Sequence, residues 1–245
     1  MDNGWIRGSG MGTYKIADLI VHMDTFGRTL RQAEPYRIGD MPADLTIRSN
    51  PELLMNKNPH LSLDDCEYLS TGGSFYRQLM MFDGMMLHAS CVVVDGRAYL
   101  FSAPSGTGKS THVRLWLKLF GEEAYILNDD KPALRVSNDR IFVYGTPWSG
   151  KNDCSRNARA ELGGIAVVRR AAENSIRKLL PQEAVFAMMD QTARSVSPEA
   201  MQSCLRTIEK IVAADRFYEL SCNMDITAAK LSYETMSGKR KKNEN

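Results

Sequence analysis

Ala103-Pro104-Ser105-Gly106-Thr107-Gly108-Lys109-Ser110 runs straight out of the apolar stretch Ala98-Tyr99-Leu100-Phe101 and into a segment with helical periodicity. Strand, small-residue loop and helix in that order are the context of a phosphate-binding loop. Small residues let backbone amides converge on phosphate oxygens, the lysine reaches the outer phosphates, and the hydroxyl after it can ligand Mg²⁺ at a helix N-terminus. The full pattern begins with glycine, and this chain has Ala103 there. Alanine can stand at such a position unless the backbone needs a positive φ, where its Cβ is penalised. The competing reading is a Gly/Ser turn that happens to precede a Lys-Ser pair. The spacing assigns Ser105, Gly106, Thr107, Gly108, Lys109, Ser110 and Thr111 to a nucleoside triphosphate with Mg²⁺, and gives Lys109 the β- and γ-phosphates and Ser110 the metal.

Upstream, Met86-Leu-His-Ala-Ser-Cys-Val-Val-Val94 and Arg97-Ala-Tyr-Leu-Phe101 flank Asp95-Gly96, a strong two-residue hairpin signal. An antiparallel entry into the loop implies a mixed sheet, and the fold class follows as α/β. His88 falls on the strand that pairs with the loop strand, which makes it a candidate catalytic residue. A histidine there can also simply hydrogen-bond a neighbour. Downstream, Val113, Leu115, Trp116, Leu117, Leu119 and Phe120 predict a helix from Lys109 that stops at Gly121. Ala124-Tyr-Ile-Leu127 then reads as a short buried strand that opens onto Asn128-Asp129-Asp130. A phosphate loop needs a carboxylate for Mg²⁺, and a paired carboxylate can take the proton of an attacking hydroxyl. Asp129 and Asp130 are the candidates, with Lys109 and His88 completing the catalytic set. Asp130 is also the candidate metal ligand beside Ser110, although the spacing leaves open which of the two acids is base and which is ligand. The alternative is a solvent-facing Asp-Asp turn.

Farther out, Ala133-Leu-Arg-Val136 and Arg140-Ile-Phe-Val-Tyr144 form a second hairpin, and 145–160 reads as an exposed functional loop or a mobile one. Lys151, Arg156, Arg159, Asn152 and Asn157 give that loop phosphate-friendly donors, or solvated charges. Strands are expected over 162–168, 176–180 and 217–220, helices after Pro181 and Pro198, and a last helix over 226–236. The first sixty residues suggest short strands, at 14–21 and 45–47, with a turn around 56–59, and a helix is expected over 74–82 despite Gly72 and Gly73. Residues 1–84 form a strand-rich segment packed on the core, and 85–245 the catalytic core and C-terminal helices.

The 245 residues carry a net charge of +2 with 43% hydrophobic and 24% charged residues, ordinary for a soluble globule. That charge gives no case for a nucleic-acid partner, and the basic Lys239-Arg-Lys-Lys242 reads as a solvated end. No apolar run reaches the roughly 18 residues of a membrane span, and no leader pattern opens the chain, so a cytoplasmic location is expected. Cys66, Cys91, Cys154, Cys204 and Cys222 are scattered and odd in number, which argues against a disulfide framework or a zinc site. Cys154, near Lys151 and Arg156, is the one thiol with a basic setting, and is read as a loop thiol.

Leu87-His88-Ala-Ser before the hairpin, Ser105-Gly-Thr-Gly-Lys-Ser110 at its end and Asn128-Asp129-Asp130 after the next strand together resemble the catalytic domain of the HPr serine kinase/phosphatase family. That family shares a phosphate-loop core with the ATP-type phosphoenolpyruvate carboxykinases. Leu162-Gly-Gly-Ile-Ala-Val-Val168 is similar to the glycine-containing strand downstream of that core, so the resemblance covers roughly 85–170. It implies an ATP- and Mg²⁺-dependent kinase of a serine hydroxyl on a protein or peptide, with Asp129 or Asp130 as base and His88 in the site. The chain is also similar to compact relatives of the peptide-modification kinase type, and a homo-oligomer is compatible with it. The acidic-arginine signature of phosphatase action is not recognisable around Arg159-Ala-Glu-Leu162. The second reading, from another class, is a nucleotide-binding module that recruits a peptide or protein partner without turnover. Carboxykinase-like decarboxylation lacks a recognisable oxyacid-binding set and ranks last.

Overall fold

The computed structural model describes residues 11–150 and 152–239. Lys151 and the basic tail from Arg240 onward, both read above, lie outside the described residues. At the N-terminal end β1 (Gly12–Ile16) and β2 (Leu19–Met23) pair antiparallel across Ala17-Asp18, both at positive φ as a two-residue hairpin turn requires. After α1 (Gly27–Ala33), β3 (Leu45–Ile47) lies parallel to β2 and completes a three-stranded sheet. The stretch 14–21 is therefore a hairpin broken at Ala17-Asp18, 45–47 is a strand as expected, and α1 and α2 (Pro51–Lys57) were not foreseen. The start of α2 carries a readable signal: Asn50 Oδ1 accepts the Leu53 N–H at 3.0 Å and Pro51 follows the cap. Seven residues hold too few turns for periodicity to show.

The helix expected over 74–82 is the tail of a longer one. α3 (Leu63–Leu79) starts at a Ser62 cap that accepts the Asp65 N–H at 3.0 Å, and it runs through Gly72-Gly73 before a 3₁₀ turn ends it at Phe82. Gly72 is a packing residue, not a helix boundary, because a Cβ there would stand 2.8 Å from Trp148 Cδ1.

Next come β4 (Gly84–Met86), β5 (Ala89–Val94) and β6 (Arg97–Ser102). The Asp95-Gly96 hairpin forms as expected, pairing Val94 with Arg97, but the run 86–94 is broken. Leu87 N–H donates to Pro132 O and His88 N–H to Gln191 O, so β4 leaves to pair with another strand and His88 sits in the gap ahead of β5. α4 (Lys109–Phe120) ends at Gly121, which has a φ of +55°. β7 (Ala124–Asn128) pairs antiparallel with β5, and β8 (Ala133–Ser137) and β9 (Arg140–Tyr144) form the second hairpin.

The segment after β9 is exposed only in its later part, at Asn152, Asp153, Arg156 and Asn157, and its first part is not the loop expected. Gly145, Thr146, Pro147, Trp148 and Ser149 are all buried, for Trp148 fills the space between α3 and the sheet. β10 (Arg159–Arg170) is the spine of the large sheet. Its first residues pair with β9, its middle with β6, and its end runs parallel to β12 (Phe217–Cys222), which β11 (Ser175–Lys178) flanks. Gly163-Gly164 stands where β10 changes partner, and a Cβ on Gly163 would meet the Tyr99 ring at 2.6 Å. α5 (Pro181–Asp190), α6 (Pro198–Ala213) and α7 (Ile226–Ser237) start at the expected prolines and at an Asp225 cap.

Mixed α/β architecture follows, with β4-β8-β9-β10-β6-β5-β7 as the main path of a nine-stranded sheet. Both faces are covered. Cys91, Val93, Ala98 and Leu100 face a core closed by α5 and α6, while Val92, Val94, Tyr99 and Phe101 face one closed by α4 and α7. That alternation explains why these strands read as continuous apolar runs. A third cluster joins Tyr14, Ile16 and Val21 of the small sheet to Phe75 and Tyr76 of α3 and to Trp148. Among the described residues no helix is long and apolar enough to cross a membrane.

This third region buries an acid with a measurable signature. Glu67 is fully buried on α3, its Oε2 accepts the Thr29 hydroxyl, and its Oε1 has no partner among the described residues. Burial lifts its carboxyl from 4.5 to about 7, against the opposing bonds from Thr29 and the Phe26 backbone, with Asp64 and Asp24 adding to the rise. A raised pKa means the folded state holds the proton that the unfolded chain has lost, so stability is full below about 4.5 and is lost as pH rises through about 7. Glu67→Gln has no such loss. In urea unfolding at stepped pH, its stability relative to the parent should climb by up to ~1.4 kcal/mol per unit between those values and then level off. Parallel pH profiles would contradict the assignment.

Candidate active site

The Ala103–Ser110 loop joins the carboxyl end of β6 to the N-terminus of α4, as the sequence context demands. Gly106 and Gly108 hold φ of +79° and +121°, the conformations that select glycine, while Ala103 is not among the residues at positive φ. Its Cβ therefore costs nothing in backbone strain and packs into the core with Val113 and Trp116. Lys109 is folded over the loop, with Nζ donating to Ala103 O at 2.8 Å. Burial lowers its ammonium below the ordinary value, while the charges of Asp130 and Asp129 pull it up. From outside, Arg170 clasps the loop, its guanidinium donating to Gly106 O and to Thr107 O.

Ser110 Oγ lies 3.3 Å from Ser90 Oγ, and Ser90 also donates to Asp129 O at 3.3 Å, which ties β5, the loop helix and the acidic turn together. The turn itself is shaped by Asn128. Its Oδ1 accepts the N–H groups of Asp130 and Lys131 at 2.9 and 2.7 Å, and its Nδ2 donates to Thr146 and Ser155. Asp129 and Asp130 then share a cavity of about 460 Å³ with Ser105 and Ser110 of the loop. Among the lining residues that sequence reasoning missed are Arg28 of α1 and Tyr68 of α3. The Arg28 guanidinium lies 3.8 Å above the Tyr68 ring and donates to Gly150 O at 2.7 Å, and the Tyr68 hydroxyl accepts the Gly150 N–H. No short-range signal in the chain marks Arg28 or Tyr68, because only tertiary packing brings α1 and α3 to this cavity.

The two acids differ in their surroundings. Asp130 Oδ1 lies 3.4 Å from His88 Nε2, and its Oδ2 pairs with the Lys131 ammonium. Burial raises the Asp130 carboxyl, but His88 and Lys131 outweigh it and hold it below its ordinary value, so it is ionised at neutral pH. His88 Nδ1 is in turn 3.1 Å from Gln191 Oε1, another partner that the sequence did not reveal. Asp129 Oδ1 is shielded from solvent and has no partner among the described residues. Asp129 lines the same cavity as Ser110, and a carboxylate with an unpartnered oxygen beside a hydroxyl suits a hard divalent cation, which prefers oxygen ligands and retains several waters and phosphate oxygens of its own.

The structure does not gather the basic loop residues expected to serve phosphate. Arg156 stacks over Tyr125, Arg159 pairs with Asp18, and Asn157 donates to Pro35 O, so these side chains fasten the fold; Asn152 alone of that described group lines the cavity. Cys154 has its thiol pushed up by burial and by the Asp129 charge, the opposite of an activated thiolate.

No family model and no curated protein matches this chain. Among solved structures, the Hpr(Ser) kinase/phosphatase from Coxiella burnetii is matched at a TM-score of 0.29 and 13% identity, over 53% of this chain and 98% of that one. A likeness of that degree assigns no residue a role.

Proposed function

We propose that the protein is a phosphotransferase that moves the γ-phosphoryl group of ATP to a serine-type hydroxyl of a protein or peptide. The observation that carries this reading is one cavity bordered both by Ser105 and Ser110 of the glycine-containing loop and by Asp129 and Asp130 at the end of a neighbouring strand. In this reading the loop amides and Lys109 hold the triphosphate, and Lys109 leaves its present partner Ala103 O to do so. Ser110 and the orphaned Asp129 oxygen hold the cation, which when bound supplies charge neutralisation to the phosphates.

Asp130 faces the acceptor. It takes the proton of the incoming hydroxyl as the new O–P bond forms and the bond from the γ-phosphorus to its bridging oxygen breaks, leaving the diphosphate. His88 and Lys131 keep Asp130 ionised and aimed. The acceptor reaches Asp130 through the same cavity, whose lining includes the stacked pair Arg28 and Tyr68. Catalysis of this kind is chiefly positioning and charge stabilisation, and needs no further covalent machinery from the protein.

The test is transfer of γ-labelled phosphate from MgATP to a panel of serine-bearing peptides, with Lys109→Ala as the control. Labelled peptide is expected with the parent chain, and loss of at least about a hundredfold with Lys109→Ala. ATP binding that persists without transfer, with a biological activity unchanged by Asp129→Asn and Asp130→Asn, would favour the recruiting module instead.

A further inference from the structure

His88 lies between β4 and β5, outside both strands, so whatever aims its ring has to come from other parts of the chain. One flank of this short stretch is held by the acidic turn and the residues after it, where Leu87 N–H donates to Pro132 O at 3.3 Å and Ala89 N–H to Asp130 O at 3.1 Å. The corner that ends α5 holds the other flank. Gln191 O accepts the His88 N–H at 2.7 Å, and Thr192 Oγ1 donates to Met86 O, also at 2.7 Å. Ser102 Oγ completes the set by donating to His88 O at 3.0 Å.

These bonds fix the backbone of His88 and leave its ring free to turn about the side-chain torsions. The imidazole meets two polar groups among the described residues: Gln191 Oε1 at 3.1 Å from Nδ1, and Asp130 Oδ1 at 3.4 Å from Nε2. The partner of one ring nitrogen sets what the other presents. Gln191 has the shorter contact and the better footing, since its own N–H donates to Met188 O at 3.1 Å, closing the last turn of α5, and Met188 is buried in the core. One residue thus grips His88 twice, by backbone and by side chain. Nδ1 is the tethered edge of the ring, and Nε2 is the edge turned to Asp130.

We propose that Gln191 is a positioning residue for phosphoryl transfer: through Nδ1 it holds the His88 ring with Nε2 against Asp130, and so keeps Asp130 aimed at the acceptor. The inference rests on the reading of Asp130 as the group that takes the acceptor proton.

Gln191→Leu deletes the amide and keeps the backbone carbonyl that holds His88, Gln191→Glu keeps an oxygen within reach of Nδ1, and Gln191→Ala serves if leucine disturbs the corner. In transfer from MgATP to a serine-bearing peptide, Gln191→Leu should lower kcat by about 10–100-fold with the KM for ATP within about twofold of the parent, and Gln191→Glu should recover most of the loss. Added to His88→Asn, Gln191→Leu should cost nothing further, because it acts through that ring. A readout without turnover comes from the ring ¹⁵N signals of the free chain, with those of His88 assigned by their loss in His88→Asn. Gln191→Leu should move the His88 signals and leave those of His22, His60 and His112 in place. Unchanged kcat, an equal loss in the His88→Asn background, or unmoved His88 signals would overturn the proposal. A parent chain that transfers nothing refutes the transfer reading and this role with it, whereas unmoved His88 signals beside an active parent sink the tether alone.

Discussion

Asp130→Asn should lower single-turnover phosphoryl transfer by about 10²–10⁴-fold while leaving ATP affinity within about threefold of the parent. The asparagine keeps the size of the side chain and one acceptor oxygen, so the contact with His88 can persist, but it cannot take up the acceptor proton. Nothing in the loop is touched: Lys109, Ser110 and the glycine amides are held by β6, α4 and Arg170. Lys131 loses its ion pair, yet remains over the Tyr68 ring at 5.5 Å. On the proposed mechanism the parent chain's transfer rate should also hold as pH falls toward the ordinary carboxylate value of about 3.9, since Asp130 is held below it and would act ionised. Equal transfer rates in parent and variant would remove Asp130 from the chemistry.

Trp148→Ala carries the largest expected cost to the fold, ~3–5 kcal/mol in urea unfolding. The indole is fully buried, its ring stacked on Phe75 at 4.9 Å and edge-on to Tyr76 at 5.4 Å, with Nε1 donating to Thr71 Oγ1 at 3.2 Å. Truncation leaves a void that α3 cannot close without moving, and strands the Thr71 contact. The damage should reach the site, for Ser149 and Gly150 follow directly and Gly150 is the shared partner of Arg28 and Tyr68. A loss below about 1 kcal/mol, the range of ordinary surface changes, would show that the cluster is not a cornerstone of the fold.

These two residues mark how far the chain could be read in advance. Asp130 was legible because strand, turn and acid are neighbours in sequence, as were the Asp95-Gly96 hairpin, α4 and the proline-started helices. Trp148 was not. A loop rich in Gly, Pro and Ser looks exposed, and only the match between a ring and the missing Cβ of Gly72 shows why it is buried. Arg28, Tyr68 and Gln191 stayed invisible for a related reason, since each reaches the site from an element distant in sequence. The break at His88 was hidden because Leu87 and His88 suit a strand, and it is Pro132 and Gln191 that claim their amides.

Asn128 has a consequence for communication across the molecule. Fully buried, its one amide spends its acceptor on the turn that carries Asp130 and its donors on Thr146 and Ser155. Turn and segment are thereby geared to each other through a single planar group. Any displacement of Thr146 or Ser155 must rotate that amide or break its bonds, and either event is felt at Asp130.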